Sequence, residues 1–373
     1  MHIKKLSLIN FKNYTDVSFL LHTKLNCFVG NNGEGKTNLL DSIYYLCMCK
    51  SYFTGNDLYS IRNDEEFMII QANFSRNEKE EEIYCGLQRN KKKQFRRNKK
   101  EYQRLNDHIG LFPVVMVSPS DSQLISEGSE ERRKYINSVI SQYNKIYLDN
   151  TIKYNKVLAQ RNSVLKELPG KSPLTDLLDI YDTQLVDLGN AIHQERIQFI
   201  DKFTPVFNRY YNLISGEKEQ VELIYQSPLN DNDFAELLRN VRKKDQIVQY
   251  TTTGIHKDDL VLNLNRTNIK IIGSQGQQKT YLVALKLAQF DFLKGVNDTL
   301  PLLLLDDIFD KFDANRVRQI LRLVADDSFG QIFITHTNLD RMNAILEELG
   351  IDHKLFRVNE GEVSEINETD KKL

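Results

Sequence analysis

The stretch Gly30-Asn31-Asn32-Gly33-Glu34-Gly35-Lys36-Thr37 (GNNGEGKT) decides how the rest of the chain is interpreted. It fits the pattern G-x-x-x-x-G-K-[ST] at every fixed position, with a β-like segment ending at Val29 and a helical apolar pattern after it. In such a loop backbone N–H groups face phosphate oxygens, the lysine reaches the β- and γ-phosphates, and the Thr hydroxyl takes a Mg²⁺ site. The sequence therefore predicts that residues 30–37 bind ATP with Mg²⁺, with Lys36 also serving catalysis.

An acidic pair follows a second buried-looking strand, in PLLLLDD from Pro301 to Asp307. The four leucines predict a strand, and Asp306 stands where the chain would leave the sheet. We expect Asp306 to hold Mg²⁺ and Asp307 to act as the general base or to position water. The alternative is an Asp pair that merely caps the next loop, and the phosphate-binding loop favours the metal.

A second candidate phosphate contact lies at Ser274, Gly276 and Gln277, just before a predicted helix. Small and polar residues at a helix N-terminus suit an anion. The same residues also suit a simple helix cap, with Ser274 as the capping residue. Because one loop already covers the triphosphate, a second nest suggests ATP held between two subunits.

The middle of the chain has the apolar periodicity of long helices. One long amphipathic helix is predicted from Ser129 to about Leu168, and a second helical pattern follows the breaker Pro169–Pro173. Two long helices joined by a short break predict an antiparallel helical hairpin. The flanking segments alternate strands and helices, and Ile269–Ile272 also has a strand-like pattern.

Composition limits the class of protein. The chain has 373 residues, 40% of them hydrophobic and 27% charged, with a net charge of −1. No segment approaches 18 consecutive apolar residues, and the N-terminus lacks the apolar core of a secretory signal. The four cysteines lack a zinc-binding spacing. We expect a soluble cytoplasmic protein with reduced thiols and no membrane partner.

A basic run, RNKKKQFRRNKKEYQR, spans Arg89 to Arg104 and has Phe95 and Tyr102 interleaved. Clustered Lys and Arg bind nucleic-acid phosphates by releasing counterions, without sequence specificity. The alternative is a solvated β-hairpin at a sheet edge, where lysines prevent aggregation. The candidate DNA contacts are Lys91, Lys92, Lys93, Arg96, Arg97, Lys99 and Lys100.

Several segments together carry a family resemblance. SQGQ before a helix, LLLLDD, an Asp-x-x-Asp loop and FITHT resemble the signature, Walker B, D-loop and switch elements of ABC/SMC-type ATPases. IKKLSLINFKNY, SPSDSQLISEGSEERRKYIN, VLAQRNSVLKEL and TTTGIHKDDLVLNL resemble the RecF family of DNA repair proteins. The resemblance covers essentially the whole chain, and the arm is short where other SMC-type proteins have long coiled coils.

The resemblance implies an α/β fold, an ABC/SMC-like P-loop ATPase head with a mixed sheet, interrupted by a helical-hairpin arm. The implied domains are an N-terminal head lobe (1–125), the arm (126–250), a C-terminal head lobe with signature and Walker B (251–366) and a disordered tail (367–373).

The resemblance also assigns roles to residues. Lys12 and Asn13 would lie near adenine and phosphate, and Ser274, Gly276 and Gln277 would contact the γ-phosphate of ATP held by the opposite subunit. Asp313 would lie at the dimer seam, and His336 would sense the γ-phosphate. The chain departs from the family pattern after Lys50, where an expected Arg is absent, and in the loop from residue 310 to residue 313.

The leading functional hypothesis is an ATP-gated DNA clamp or loader with weak, DNA-stimulated ATPase activity. ATP would close a homodimer on single-stranded and duplex DNA at gaps and at single-strand/double-strand boundaries, and slow hydrolysis would release it. The resemblance implies RecR- and RecO-like partners and roles in recombinational repair, replication restart and the SOS response. The alternatives are a transporter-type ABC ATPase subunit and a scaffold that binds ATP without turnover.

Overall fold

The structure is a computed structural model that describes residues 1–167, 175–216, 219–311, 314–326 and 328–366. In chain order the strands are β1 (His2–Phe11), β2 (Tyr14–Leu20), β3 (Leu25–Val29), β4 (Phe67–Arg76), β5 (Lys79–Gln88), β6 (Gln94–Arg97), β7 (Lys100–Glu101), β8 (Val114–Val117), β9 (Val221–Gln226), β10 (Asp259–Leu264), β11 (Thr267–Asn268), β12 (Leu302–Leu305), β13 (Ile332–His336), β14 (His353–Asn359) and β15 (Glu362–Glu365). The helices are α1 (Lys36–Met48), α2 (Gln123–Ser126), α3 (Ser129–Ile140), α4 (Lys145–Glu167), α5 (Thr175–Ser215), α6 (Phe234–Val248), α7 (Ile269–Ile272), α8 (Gln275–Val296), α9 (Ala314–Ala325) and α10 (Leu339–Leu349).

Residue contacts divide the chain into two compact units. Of the described residues, those within 1–121 and 289–366 form one, here called the head unit, and those within 122–288 form the other, here called the helical unit. The segment 251–288, predicted as part of the C-terminal head lobe, groups with the helical unit, because β10 pairs with β9 along its whole length. The predicted domain bounds otherwise stay a prediction, and the tail 367–373 lies outside the described residues.

A mostly parallel sheet organises the head unit, with strand order β15-β14-β3-β13-β12-β8. Among the described strands of this sheet, only β14 and β15 pair in antiparallel fashion. Every residue of β3, β8, β12 and β13 is buried, as expected for parallel strands covered on both faces. The carboxyl ends of β3, β13, β12 and β8 therefore meet at one edge, where open α/β sheets place their ligands.

A second, antiparallel sheet of the head unit has strand order β2-β1-β4-β5-β6-β7. Residues in β4 and β5 alternate between buried and accessible positions, so one face packs into the core and the other is exposed. The basic run forms β6 and β7 at the sheet edge. The edge-hairpin interpretation of this run therefore describes its local structure.

Antiparallel helices α4 and α5 dominate the helical unit. Arg161 meets Asp182, Tyr154 lies beside Gly189 and Tyr147 meets Arg196, so the helices pair in opposite directions. The hairpin prediction is confirmed for these two helices, while the breaker between them lies outside the described residues. The unit also contains the sheet β11-β10-β9.

Two predicted elements were wrong. The single helix from Ser129 to about Leu168 is divided into α3 and α4, because the side chain of Asn144 accepts a hydrogen bond from Tyr147 N at 2.9 Å and caps a new helix. The predicted strand Ile269–Ile272 is the short helix α7, which Asn268 caps through Lys270 N. In both places a local asparagine cap overrides the apolar pattern.

Two further features concern the class of protein. The cysteines Cys27, Cys47, Cys49 and Cys85 are all buried free thiols. Among the described residues, none of the helices is both long and apolar enough to cross a membrane.

Candidate nucleotide-binding site

The loop 30–37 connects β3 to α1 at the carboxyl edge of the parallel sheet. Its backbone approaches neighbouring side chains closely at Gly35, where a Cβ atom would lie 2.3 Å from the Asn13 amide nitrogen. Gly35 also has a φ of +110°, which side chains disfavour. The Asn13 amide and the Tyr14 hydroxyl hold the loop by donating to the carbonyl oxygens of Glu34 and Gly35, each at 2.9 Å. The turn after β1 and the first residue of β2 thus shape the loop.

The Lys36 side chain folds back over its own loop. Its ammonium donates to the carbonyl oxygens of Gly30 and Asn31, both at 2.8 Å, and the residue is only 6% exposed. The positive charge is therefore held at the centre of the loop curvature. A phosphate oxygen there would accept a charge-assisted hydrogen bond, which is stronger than the bond to a neutral carbonyl.

Thr37 and Asp306 are separated by most of the sequence and meet in the structure. The Thr37 hydroxyl donates to the Asp306 carboxylate, with distances of 2.8 and 3.1 Å to its two oxygens. Asp306 directly follows β12, which is separated from β3 only by β13 in the sheet. The sheet order therefore brings together the two side chains that the sequence predicted as magnesium ligands.

Asp306 is 3% exposed. Burial raises the pKa of its carboxyl above the ordinary value, while hydrogen bonds from Thr37 and Thr335 and the charge of Lys36 act in the opposite direction. A buried carboxylate beside a hydroxyl is a hard oxygen donor set of the kind that Mg²⁺ uses together with phosphate oxygens and water. The donor chemistry therefore fits Mg²⁺. Within the described ranges, no cluster of three or more His, Cys, Asp or Glu side chains offers another metal site.

Thr335, near the end of β13, is a site residue that sequence reasoning missed. Its hydroxyl donates to Asp306 Oδ1 at 2.9 Å and accepts a hydrogen bond from Asp307 N at 2.8 Å. Asp307 has a φ of 49°, so this bond secures a left-handed turn at the predicted base. Thr335 belongs to the FITHT motif, but only the histidine that follows it was assigned a role from the sequence.

His336 lies one residue further along β13, opposite Val29 in the register of the sheet. It is 2% exposed, and its carbonyl oxygen accepts a hydrogen bond from Gly30 N at 3.3 Å. The structure thus places His336 beside the start of the loop, and its role as a γ-phosphate sensor stays a prediction. Asp313 lies outside the described residues.

The Lys12 side chain forms an ion pair. Its ammonium lies 2.6 Å from the buried Asp41 carboxylate and near the ring of Phe53. Asn13 contacts the loop main chain and the Asn38 amide. Asn13 therefore lies at the loop 30–37 and Lys12 lies beside Asp41 of α1, and their contacts with adenine or phosphate stay a prediction.

The predicted signature residues belong to the helical unit. Ser274 N donates to Gln277 Oε1 at 2.7 Å, and Gln277 N donates to Ser274 Oγ at 3.3 Å. This reciprocal pair is a capping box at the start of α8. Ser274 is exposed, and Gly276 and Gln277 are partly exposed. The cap interpretation describes the local structure, and contact with a second subunit's ATP stays a prediction.

The basic run is not uniformly available to a partner. Lys93 donates to Asp57 and to the Cys49 carbonyl oxygen, and Arg97 pairs with Glu81. Phe95 is 1% exposed, so it cannot stack on a base in this fold. Of the candidate DNA contacts, Lys91, Lys92, Lys99 and Lys100 are exposed and Arg96 is partly exposed.

Comparison with known proteins places the chain in a family. The model of the RecF/RecN/SMC N terminal domain matches residues 2–358. The DNA replication and repair protein RecF of Bacteroides thetaiotaomicron is 50% identical over 368 residues, covering 98% of this chain and 99% of that protein.

Solved structures agree with the sequence comparison. A structure of the recombination mediator protein RecF with ATP in the RecFOR pathway superimposes with a TM-score of 0.89 at 28% identity, covering 98% of both chains. An Smc head domain with a coiled coil and joint from Pyrococcus yayanosii gives a TM-score of 0.60 at 14% identity, covering 100% of this chain and 98% of that chain, which supports the fold alone. This chain therefore belongs to the RecF family of DNA replication and repair proteins and has the ABC-type ATPase head of that family.

Proposed function

We propose that this protein is an ATP-gated DNA clamp, in which bound ATP closes a homodimer on DNA and slow hydrolysis opens it. The observation that carries the proposal is the hydrogen bond from Thr37 to Asp306, which joins the phosphate-binding loop to the acid after β12. The similar solved structure is described as RecF with ATP, which supports ATP as the nucleotide.

The chain's own residues divide the work of the site. Lys36 and the backbone of the loop bind the β- and γ-phosphates, and Thr37 with Asp306 would hold Mg²⁺. Bound Mg²⁺ would neutralise charge that develops on the phosphate oxygens. Asp307, fixed by Thr335, accepts a proton from the attacking water.

Dimerisation supplies the switch in this proposal. A ligand shifts an equilibrium only by its differential affinity for the two states. ATP that contacts the loop of one copy and Ser274, Gly276 and Gln277 of another binds the dimer preferentially. The turn that contains Ser274, Gly276 and Gln277 is here called the signature turn, and the exposure of Ser274 in it supports such a contact.

DNA, with RecR- and RecO-like proteins, is the proposed partner set. The similar structure is of a recombination mediator in the RecFOR pathway, which supports both kinds of partner. Gaps and single-strand/double-strand boundaries are the proposed substrates, in recombinational repair, replication restart and the SOS response. The transporter-type alternative loses support, because the full-length relative at 50% identity is a DNA replication and repair protein.

The test is binding to gapped and blunt DNA, with and without ATP, by the wild type and Lys36→Ala. ATP should strengthen wild-type binding to gapped DNA and leave Lys36→Ala unchanged. Lys24→Ala is a matched control, because Lys24 also donates to two carbonyl oxygens of the head unit but lies outside the loop. Equal ATP responses of wild type and Lys36→Ala would contradict the proposal.

A further inference from the structure

A pocket of about 150 Å³ lies on the exposed face of the antiparallel sheet, where β4, β5 and the loop between β5 and β6 meet. Six of the residues that line it matter for its chemistry. They are Phe67, Tyr84, Gly86, Lys91, Lys92 and Gln94.

The strand alternation creates this pocket. Tyr84, Gly86 and Gln88 point to the accessible face of β5, while Ile83, Cys85 and Leu87 are buried. Gly86 contributes no side chain, and a Cβ atom there would lie 2.6 Å from the Tyr84 hydroxyl oxygen. A glycine inside a strand often marks a site where another group approaches the backbone closely, and here that group is the Tyr84 side chain, which lies over Gly86 at the border of the pocket.

Aromatic and guanidinium surfaces border the pocket. Phe67 is 40% exposed, so a large part of its apolar side chain is accessible at the start of β4. The Arg96 guanidinium carbon lies 5.2 Å from the centre of the Tyr84 ring, and Arg96 also donates to Gln94. Arg96 is therefore ordered beside the pocket before any partner binds.

The charge at the pocket is positive. Lys91 and Lys92 are exposed in the loop that forms its rim, and none of the described residues that line it is acidic. Lys93, by contrast, forms an ion pair with Asp57, so the lysines at the rim are Lys91 and Lys92. Glu82 and Glu101 lie further along β5 and on β7, and the exposed Glu66 precedes Phe67, so the cations available to an anionic ligand at the pocket are Lys91, Lys92 and Arg96.

We propose that this pocket binds one unpaired base of single-stranded DNA, with the adjacent phosphates on Lys91, Lys92 and Arg96. A cavity of ~150 Å³ accommodates a single six-membered aromatic ring. Bases stack on aromatic side chains and on guanidinium planes, and a basic groove follows the backbone. A duplex keeps its bases stacked internally, so the pocket selects single strands. The assignment rests on the proposed DNA-binding function and adds to it a site for the single-stranded side of a gap.

The first test removes the stacking surface. Phe67→Ala should weaken binding of an oligothymidylate by about five-fold to a hundred-fold, the range seen when one stacking side chain is truncated. Tyr59→Ala is the matched control, since Tyr59 is 73% exposed in the same unit and lies outside the pocket. Duplex binding and ATP binding should be unchanged in both variants.

The second test separates the pocket from diffuse basic charge. The double variant Lys91→Ala/Lys92→Ala should lose more affinity for oligothymidylate than Lys99→Ala/Lys100→Ala, although both remove two exposed lysines from the same basic run. Equal losses would overturn the pocket in favour of diffuse electrostatic binding.

The third test uses the absence of tryptophan from the sequence. Phe67→Trp introduces the only indole, and stacking of a base should quench its fluorescence on oligothymidylate but not on a blunt duplex. An unquenched indole signal from the Phe67→Trp variant with saturating oligothymidylate, or Phe67→Ala binding at wild-type strength, would overturn the pocket. Failure of the wild type to bind any DNA would instead refute the proposed function.

Discussion

The phosphate-binding loop of the head unit and the signature turn of the helical unit differ in how many contacts each makes with distant segments of its own chain. At the loop, side chains from distant segments converge: Lys36 on carbonyl oxygens, and Thr37 and Thr335 on Asp306. At the turn, the accessible Ser274 and Gln277 bond to one another. The phosphate-binding loop is therefore preorganised by the sheet, whereas the signature turn is a stable helix cap that can accept a further ligand.

The largest expected effect on ATP binding comes from removing the loop cation. Lys36→Ala should weaken ATP binding by about ten-fold to a hundred-fold, since a hydrogen bond to a charged group contributes about 1.5–3 kcal/mol. Calorimetric titration with a non-hydrolysable ATP analogue measures this change. Lys24→Ala should bind with wild-type affinity, and an unchanged Lys36→Ala would remove the loop from the nucleotide site.

Asp307→Asn should separate chemistry from binding. We expect turnover to fall by about a hundred-fold to ten-thousand-fold, the range for loss of a general base, with the ATP dissociation constant little changed. Single-turnover hydrolysis and equilibrium binding, measured on the same preparation, give the two quantities. Wild-type turnover by this variant would show that Asp307 is not the base, whereas absence of turnover in the wild type itself would favour the scaffold hypothesis.

Thr335→Val tests the residue that the sequence did not reveal. The change removes the hydroxyl that bonds to Asp307 N and to the Asp306 carboxylate, at a cost of about 1–3 kcal/mol. Turnover should fall more than ATP affinity, because the turn at Asp307 loses its support. Thr335→Ser keeps the hydroxyl and should retain most activity, and equal damage by both substitutions would point to packing instead.

Asp306→Asn should maintain or raise the thermal stability of the ligand-free protein and should weaken the binding of Mg²⁺. Because the pKa of Asp306 is raised on folding, the folded state favours the protonated carboxyl group. The stability that this protonation provides is present at low pH and is lost as the pH rises through the raised pKa. At neutral pH the Asn variant should therefore melt at the same temperature or higher without ligand. It should also lose the extra stabilisation by Mg²⁺ with ATP, as followed by thermal melting, and a lower melting temperature would contradict this account.

The smallest effect on the isolated chain is expected at the turn. Ser274→Ala removes an N-cap, which costs about 0.5–2 kcal/mol, whereas Ser274→Gly should cost only a few tenths. Chemical denaturation should show that difference. Both variants lack the hydroxyl, so both should weaken ATP-dependent dimerisation equally, and a defect confined to the alanine variant would assign Ser274 a capping role alone.

The same comparison explains what the sequence could predict. The loop, Asp306 and the strands around them were predictable because consecutive residues carry their pattern, as in the runs before Val29 and Asp306. Contacts at long range were not predictable, such as the bond from Asp307 N to Thr335, since they depend on which strands are neighbours in the sheet. The break at Asn144 and the helix at Ile269–Ile272 were missed because single caps outweigh apolar periodicity.

The basic run shows the same limit. Its charge was visible in the sequence, but its structure commits Lys93 and Arg97 to ion pairs and buries Phe95. The accessible aromatic side chains at the pocket are Phe67 and Tyr84, which both lie outside the run. Only the pairing of β4 with β5 and of β5 with β6 reveals this arrangement.

The central claim, that one copy supplies the loop and another the signature turn, is tested most directly by mixing two inactive variants. Lys36→Ala lacks the loop cation, and Ser274→Glu places a carboxylate against the γ-phosphate while a helix N-terminus still tolerates its charge. Each variant alone should neither dimerise with ATP nor hydrolyse it. The mixture should recover ATP-dependent dimers and hydrolysis, because one complete site forms from the loop of Ser274→Glu and the turn of Lys36→Ala. Wild-type dimerisation and turnover by Ser274→Glu alone would contradict the shared site.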